Sequence, residues 1–168
     1  MKKIYIIFLS IIVTINYYGC RNEEKLNLEK IINYVEQIKN NIKNFKKIEV
    51  PVMGLSPEGG FAIGYLAEDI ICYIEAYFYG EMSRLTFNIF IIPDIGLYIM
   101  KEKEMYDKPS YFDDYKIIDV NTNFMIIVND QVFETNELLN EYKANESLKD
   151  YLKYIREVIN IIQLEAKK

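Results

Sequence analysis

Apolar residues along this chain change their spacing twice. Over residues 23–47, Leu28, Ile31, Ile32, Val35, Ile38, Ile42 and Phe45 recur every three or four positions. That spacing predicts a helix with one buried stripe. Pro51 closes off its continuation, because proline lacks the donor a helix interior needs. Lys39, Lys43, Lys46 and Lys47 flank the stripe, where their stems reach over the edge of the core. Pro51, Gly54, Pro57, Gly59 and Gly60 then mark a turn-rich connector.

Beyond Gly60 the period becomes two, and strands are predicted over 61–67, 70–79 and 83–92. A two-residue link at Glu68-Asp69 sets Phe61, Ile63, Tyr65 and Ala67 opposite Ala76, Ile74, Cys72 and Ile70. It also sets Gly64 opposite Tyr73, leaving room for the ring. A link at Gly80-Glu81, with Gly first, suits a type II′ hairpin. It sets Ile70, Cys72, Ile74 and Ala76 opposite Ile91, Ile89, Phe87 and Leu85. Both hairpins then agree on one apolar face, and a one-residue slip in either would break that agreement.

Pro93-Asp94-Ile95-Gly96 reads as a turn. Strands are predicted over 97–102, 116–120, 124–128 and 131–135, with turns at 121–123 and 129–130, and a short helix over 137–143. A last helix starts at Ser147, with Leu148, Tyr151, Leu152, Ile155, Val158, Ile159 and Ile162 as its stripe. The expected fold is α+β in two layers. An antiparallel meander packs one apolar face against N- and C-terminal helices, as a single domain over 27–168.

The first twenty residues read differently. Lys2 and Lys3 precede an apolar run from 4 to 15, and the segment ends Tyr17-Tyr18-Gly19-Cys20. A charged start and a short apolar core fit an export signal. The run is shorter than the ~20 residues a spanning helix needs. The closing Gly19-Cys20 resembles the end of a bacterial lipoprotein signal. That resemblance implies loss of residues 1–19, lipid on Cys20, a tether over 20–26, and a place in the cell envelope with the membrane as a partner. Short strands with the turn Tyr79-Gly80-Glu81 also resemble small bacterial envelope lipoproteins, which implies an exported sheet domain and no particular reaction.

Composition narrows the chemistry. The 168 residues hold 20 Lys and Arg against 25 Asp and Glu. With Lys2 and Lys3 removed, the balance is 18 against 25. Phosphate binding needs clustered cations, so nucleic acid is not an expected partner. Cys20 and Cys72 are the only cysteines. With lipid on the first, no intramolecular disulfide forms, and Cys72 is a buried thiol in an apolar strand. The chain has no histidine, which removes Ser-His-Asp, Cys-His and His-ligated zinc sites. No calcium-loop spacing and no phosphate-loop element are present, and no cofactor is expected.

Two surfaces remain as candidates. The second face of the meander carries Tyr73 beside Asn88, Glu75 beside Thr86 and Tyr77 beside Arg84. Tyr and Arg favour binding surfaces, although Tyr is also an ordinary strand residue and Tyr77 over Arg84 an ordinary cation–π pair. The stretch 105–115 offers Tyr106, Tyr111 and Phe112 among acidic residues, either as a contact loop or as rings pinning a connector. Glu75 and Glu81 are the carboxylates to consider for acid–base work. The expected function is a non-catalytic, lipid-anchored envelope protein that binds a protein or envelope component through the Tyr-rich face. A solute- or glycan-binding lipoprotein is the first alternative, and a carboxylate-dependent hydrolase the second.

Overall fold

The computed structural model describes residues 26–145 and 149–168. The leader, Cys20, most of the tether and the Ser147-Leu148 start of the last helix lie outside the described residues. Helix α1 (Leu28–Asn41) is capped by Asn27, whose side chain accepts from the Lys30 amide at 2.9 Å. The chain then makes a 3₁₀ turn over Ile42–Asn44 and enters an antiparallel sheet. Its strands are β1 (Lys46–Val52), β2 (Gly60–Ala67), β3 (Ile70–Gly80), β4 (Ser83–Ile92), β5 (Gly96–Tyr106), β6 (Ile117–Val128), β7 (Gln131–Thr135) and β8 (Tyr142–Ala144). They lie side by side in chain order. Helix α2 (Asp150–Ala166) follows.

The helix predicted over 23–47 therefore ends early, at Asn41; its tail is the 3₁₀ turn, and its last two residues, Lys46 and Lys47, open β1. Pro51 sits inside that strand. It is tolerated because β1 is an edge, where a missing amide donor breaks no inner ladder. Val50 and Val52 alternate inward. Two predicted short strands are one, β6, with Asn121-Thr122-Asn123 paired to Lys101–Lys103 of β5 rather than forming a turn. The predicted helix over 137–143 is a turn leading into β8.

The turns at Glu68-Asp69 and Asn129-Asp130 are where the sequence puts them. All four residues have positive φ, between 48° and 66°, as type I′ hairpins require. The registers depart from expectation. Beside the first turn Ala67 pairs with Ile70 and Leu66 with Ile71, but a bulge then shifts the ladder by one. Phe61, Ile63 and Tyr65 consequently oppose Tyr77, Glu75 and Tyr73, while Ala62 and Gly64 oppose Ala76 and Ile74. In the second hairpin Gly80 pairs with Ser83, so Glu81 and Met82 form the turn. That is a shift of two, which keeps each residue on its face.

Cross-strand alternation now separates two cores. Ile74, Ala76, Phe78, Phe87, Ile89, Ile99 and Met125 lie with Ile155, Val158 and Ile162 of α2. Tyr65, Tyr73, Phe90, Tyr98 and Ile126 lie with Ile31, Val35 and Ile38 of α1. One helix thus covers each face, in place of a single helical layer on one apolar face.

Gly64 does not make room for Tyr73. A Cβ there would lie 2.4 Å from Cγ2 of Ile162, so the bare backbone lets α2 settle onto β2. Gly64→Ala is expected to cost about 1–3 kcal/mol by overpacking, read from urea unfolding. In an Ile162→Ala background most of that cost should vanish. Equal costs in both backgrounds would show that the two residues do not meet.

Candidate functional site

The Tyr-rich face is divided by α1 into a covered and an open part. Under the helix, Tyr65 and Tyr73 lie 5.1 Å apart by ring centroid, Tyr73 and Phe90 4.6 Å, and Phe90 and Tyr98 5.8 Å. Buried rings of this kind need partners for their hydroxyls. Glu75 supplies them for Tyr65 and Tyr73. Its carboxylate accepts from Tyr65 at 2.9 Å, Tyr73 at 3.1 Å and Tyr77 at 3.3 Å. The Tyr73 hydroxyl also lies 2.5 Å from Asn88 Oδ1 and donates its single proton to one acceptor at a time. Lys47 stands 5.1 Å over the Tyr65 ring.

Glu75, Asn88, Tyr73 and Tyr77 are brought together as expected, with different strand neighbours. Glu75 opposes Asn88, Tyr77 opposes Thr86 and Tyr79 opposes Arg84. Arg84 does not sit on Tyr77. Its Nη2 donates to Glu104 Oε1 at 2.8 Å, and Tyr106 donates to the other Glu104 oxygen at 3.4 Å. The Arg84 Nε is buried without a partner among the described residues. Burial works against the Arg84 charge, but Glu104 outweighs it and holds the pKa above its ordinary value. Tyr73 and Tyr106 are each only 5% exposed, so both hold the face together and offer little surface.

Glu104 was not among the sequence candidates. The alternation Lys101-Glu102-Lys103-Glu104 carries the signal for it. Period-two charge in an extended strand sends both Lys to one face and both Glu to the other, and β5 continues to Tyr106. On the α2 side, Lys101 is buried, lies 4.4 Å over the Tyr151 ring and donates to its hydroxyl at 3.3 Å.

Past Tyr77 the face is open. Phe61 stacks on Tyr77 at 4.7 Å and lies 6.2 Å from Tyr79. This zone continues into the end of the sheet formed by residues 53–59, the Glu81-Met82 turn and residues 107–116. The turn and the 107–116 loop are tied to each other, and residues 53–59 are tied to β3. The Tyr79 amide donates to Gly59 O at 3.0 Å, Tyr106 to Met82 O at 2.9 Å and Ser110 to Glu81 O at 2.8 Å. The Tyr111 hydroxyl donates to Glu81 at 3.3 Å. Lys108 and Asp114 pair at 2.6 Å within the long loop, and Tyr115 rests on Tyr106 at 4.7 Å. Tyr111 and Phe112, 4.9 Å apart, are 69% and 48% exposed. Met53, Met82 and Tyr115 are also exposed on these segments.

This arrangement suits contact better than chemistry. Burial first, then Glu75, pushes the Tyr65 and Tyr73 hydroxyls well above the ordinary phenol range. Both are thereby moved away from ionisation at neutral pH. Glu75 is engaged by three hydroxyls, and Glu81 stands exposed in a turn. Among the described residues no group of His, Cys, Asp and Glu is placed to hold a metal ion. Clefts of about 410 and 280 Å³ involve none of these residues and lie along Asn27–Gln37 at the start of α1 and at the Thr135–Tyr142 turn. Among the described residues no helix is long and apolar enough to cross a membrane. Comparison with protein-family models, curated proteins and solved structures gave no match.

The raised phenols fix a direction for alkaline stability. Tyr98 is pushed up to about 12, by burial and then by Glu137. Below the ordinary value of 10.0 folded and unfolded chains both keep this proton, and the fold's preference for the neutral ring contributes in full. Above it the unfolded chain ionises first, so stability falls as pH rises through the window up to about 12. Urea midpoints taken from about pH 8 to about pH 11 should fall, and Tyr98→Phe should make that fall shallower. An unchanged slope would show that Tyr98 titrates normally.

Proposed function

We propose that this protein is a non-catalytic binding module, held at a bacterial membrane by lipid on Cys20, that meets a partner protein with its aromatic end. The observation that carries this reading is the set of exposed side chains Met53, Met82, Tyr111, Phe112 and Tyr115 at one end of the sheet, where the Glu81-Met82 turn and residues 107–116 are bonded to each other. Apolar clusters of this kind rimmed by charge mark contact surfaces, and Met and Tyr are enriched in interface cores. The half-buried Phe61 and Tyr77 and the exposed Tyr79 extend the same surface down the sheet.

Position supports the reading. Helix α1 begins beside the β4–β5 turn, where Lys30 reaches Pro93 O at 3.4 Å and Asp94 at 3.9 Å. That turn lies at the opposite end of the strands from the cluster. The 11 residues of β3 set the two ends about 35 Å apart. A tether leading into α1 would leave the aromatic end pointing away from its attachment. A protein fits better than a glycan, because sugars dock on open ring faces and Phe61 and Tyr77 stack theirs on each other at 22°.

A photoreactive residue at position 112 in cells should give adducts of discrete mass, and one at the still more exposed Leu164 of α2 should not. Tyr111→Ala with Phe112→Ala should remove the partner while shifting the thermal midpoint little. In the same cells Cys20→Ser should release the protein from membranes. Adducts at both positions alike, or at neither, would contradict the reading of this end. Retention of Cys20→Ser on membranes would contradict the anchor alone.

A further inference from the structure

The first half of β6 has an open flank. β7 pairs only with Phe124–Val128. Residues 117–123 are therefore held by β5 on one side and, among the described residues, face no strand on the other. Ile117, Ile118 and Val120 are each more than half exposed there. An exposed β-branched edge is a template for another strand.

The sheet's other edges are guarded and this one is not. β1 carries Lys46, Lys47, Glu49 and Pro51, and β8 is three residues long with Lys143 at its centre. Lysine, proline and shortness are the usual devices against edge pairing. Residues 117–123 contain neither Lys nor Pro, and Asp119 is their one charge.

We infer that residues 117–123 pair antiparallel with the same segment of a second copy, about a two-fold axis through Val120. The free run is centred on that residue, so this register uses all of it. Ile118 then opposes Thr122 of the second copy and Val120 opposes Val120, a β-branched row along the Tyr-rich face. Asp119 opposes Asn121, so no like charges meet. Moving the centre to Asp119 sets carboxylate against carboxylate, which is destabilising. Moving it to Asn121 carries Ile117 and Ile118 past the free run, onto residues that β7 already covers. Because the axis is normal to the sheet, the α1 helices of both copies lie on the same side of it.

The test uses the full chain extracted in detergent. At high micromolar concentration light scattering after gel filtration should give the mass of two copies. Val120→Lys should give the mass of one copy with an unchanged thermal midpoint, since the side chain is half exposed. Under mild oxidation Val120→Cys should link to its counterpart, at a spacing a disulfide spans. Ile118→Cys and Thr122→Cys, each opposite a different residue, should not link beyond the unmodified protein. Should Val120→Lys fail to fold, the cysteine series still decides. A single-copy mass for the unmodified protein, a dimer that survives Val120→Lys, or linkage at 118 or 122 but not at 120 would each overturn the proposal. Capture of an added extended peptide by a single-copy protein would overturn it too, by assigning the edge to a different partner.

Discussion

The structure depends on the central strands being covered on both faces at once. In β3, Ile74, Ala76 and Phe78 lie under α2, while Cys72 and Tyr73 belong to the core under α1. Each helix is amphipathic and short, and neither holds its shape alone without the sheet beneath it. Gly64 permits the close approach of α2 on one side. On the other side the core is built from tyrosines, which bury well only if their hydroxyls are bonded. The carboxylate of Glu75 in the middle of the sheet follows from that need. A residue that looks like a catalytic acid in the sequence is the common acceptor of a ring cluster.

That arrangement divides the Tyr-rich face. Tyr65, Tyr73, Phe90 and Tyr98 belong to the core, and Arg84, Glu104 and Tyr106 lock the strands beyond them. At the far end, where α1 does not reach, large apolar groups of the connecting segments stay in water. The proposed contact surface is what remains once the rest of the face has been used for packing. The free flank of β6 has a separate origin, in β7 stopping short of its partner strand.

Much of the sheet was legible in the sequence because period-two alternation is strong from Phe61 to Ile92 and the I′ turns carry Glu-Asp and Asn-Asp. Strand β1 was not. Its apolar positions continue the helical stripe through Phe45, and Pro51 reads as a breaker unless its strand is known to be an edge. The bulge near Cys72 was hidden for a different reason. An extra residue leaves no mark in the hydropathy pattern when both faces are buried and either alternation fits. The length of β6 was obscured by Asn121-Thr122-Asn123, which are turn residues by type but strand residues opposite Lys101–Lys103. At the site, Glu75, Asn88 and Tyr77 were found because they share a face. Glu104 and the bonding of the Glu81-Met82 turn to residues 107–116 depend on strand length and register, which sequence spacing does not fix.

A helix on each face is the feature from which the covered tyrosines and the open end both follow. Spin labels at Glu36 of α1 and Asn160 of α2, both exposed, report it directly by pulsed dipolar spectroscopy. A sheet between the helices adds about 10 Å of spacing on each side, so a distance of roughly 30 Å or more is expected with the labels on the outer surfaces. Helices sharing one face would pack about 8–10 Å apart and bring the labels within roughly 20 Å. That shorter distance would contradict the arrangement and with it the division of the Tyr-rich face.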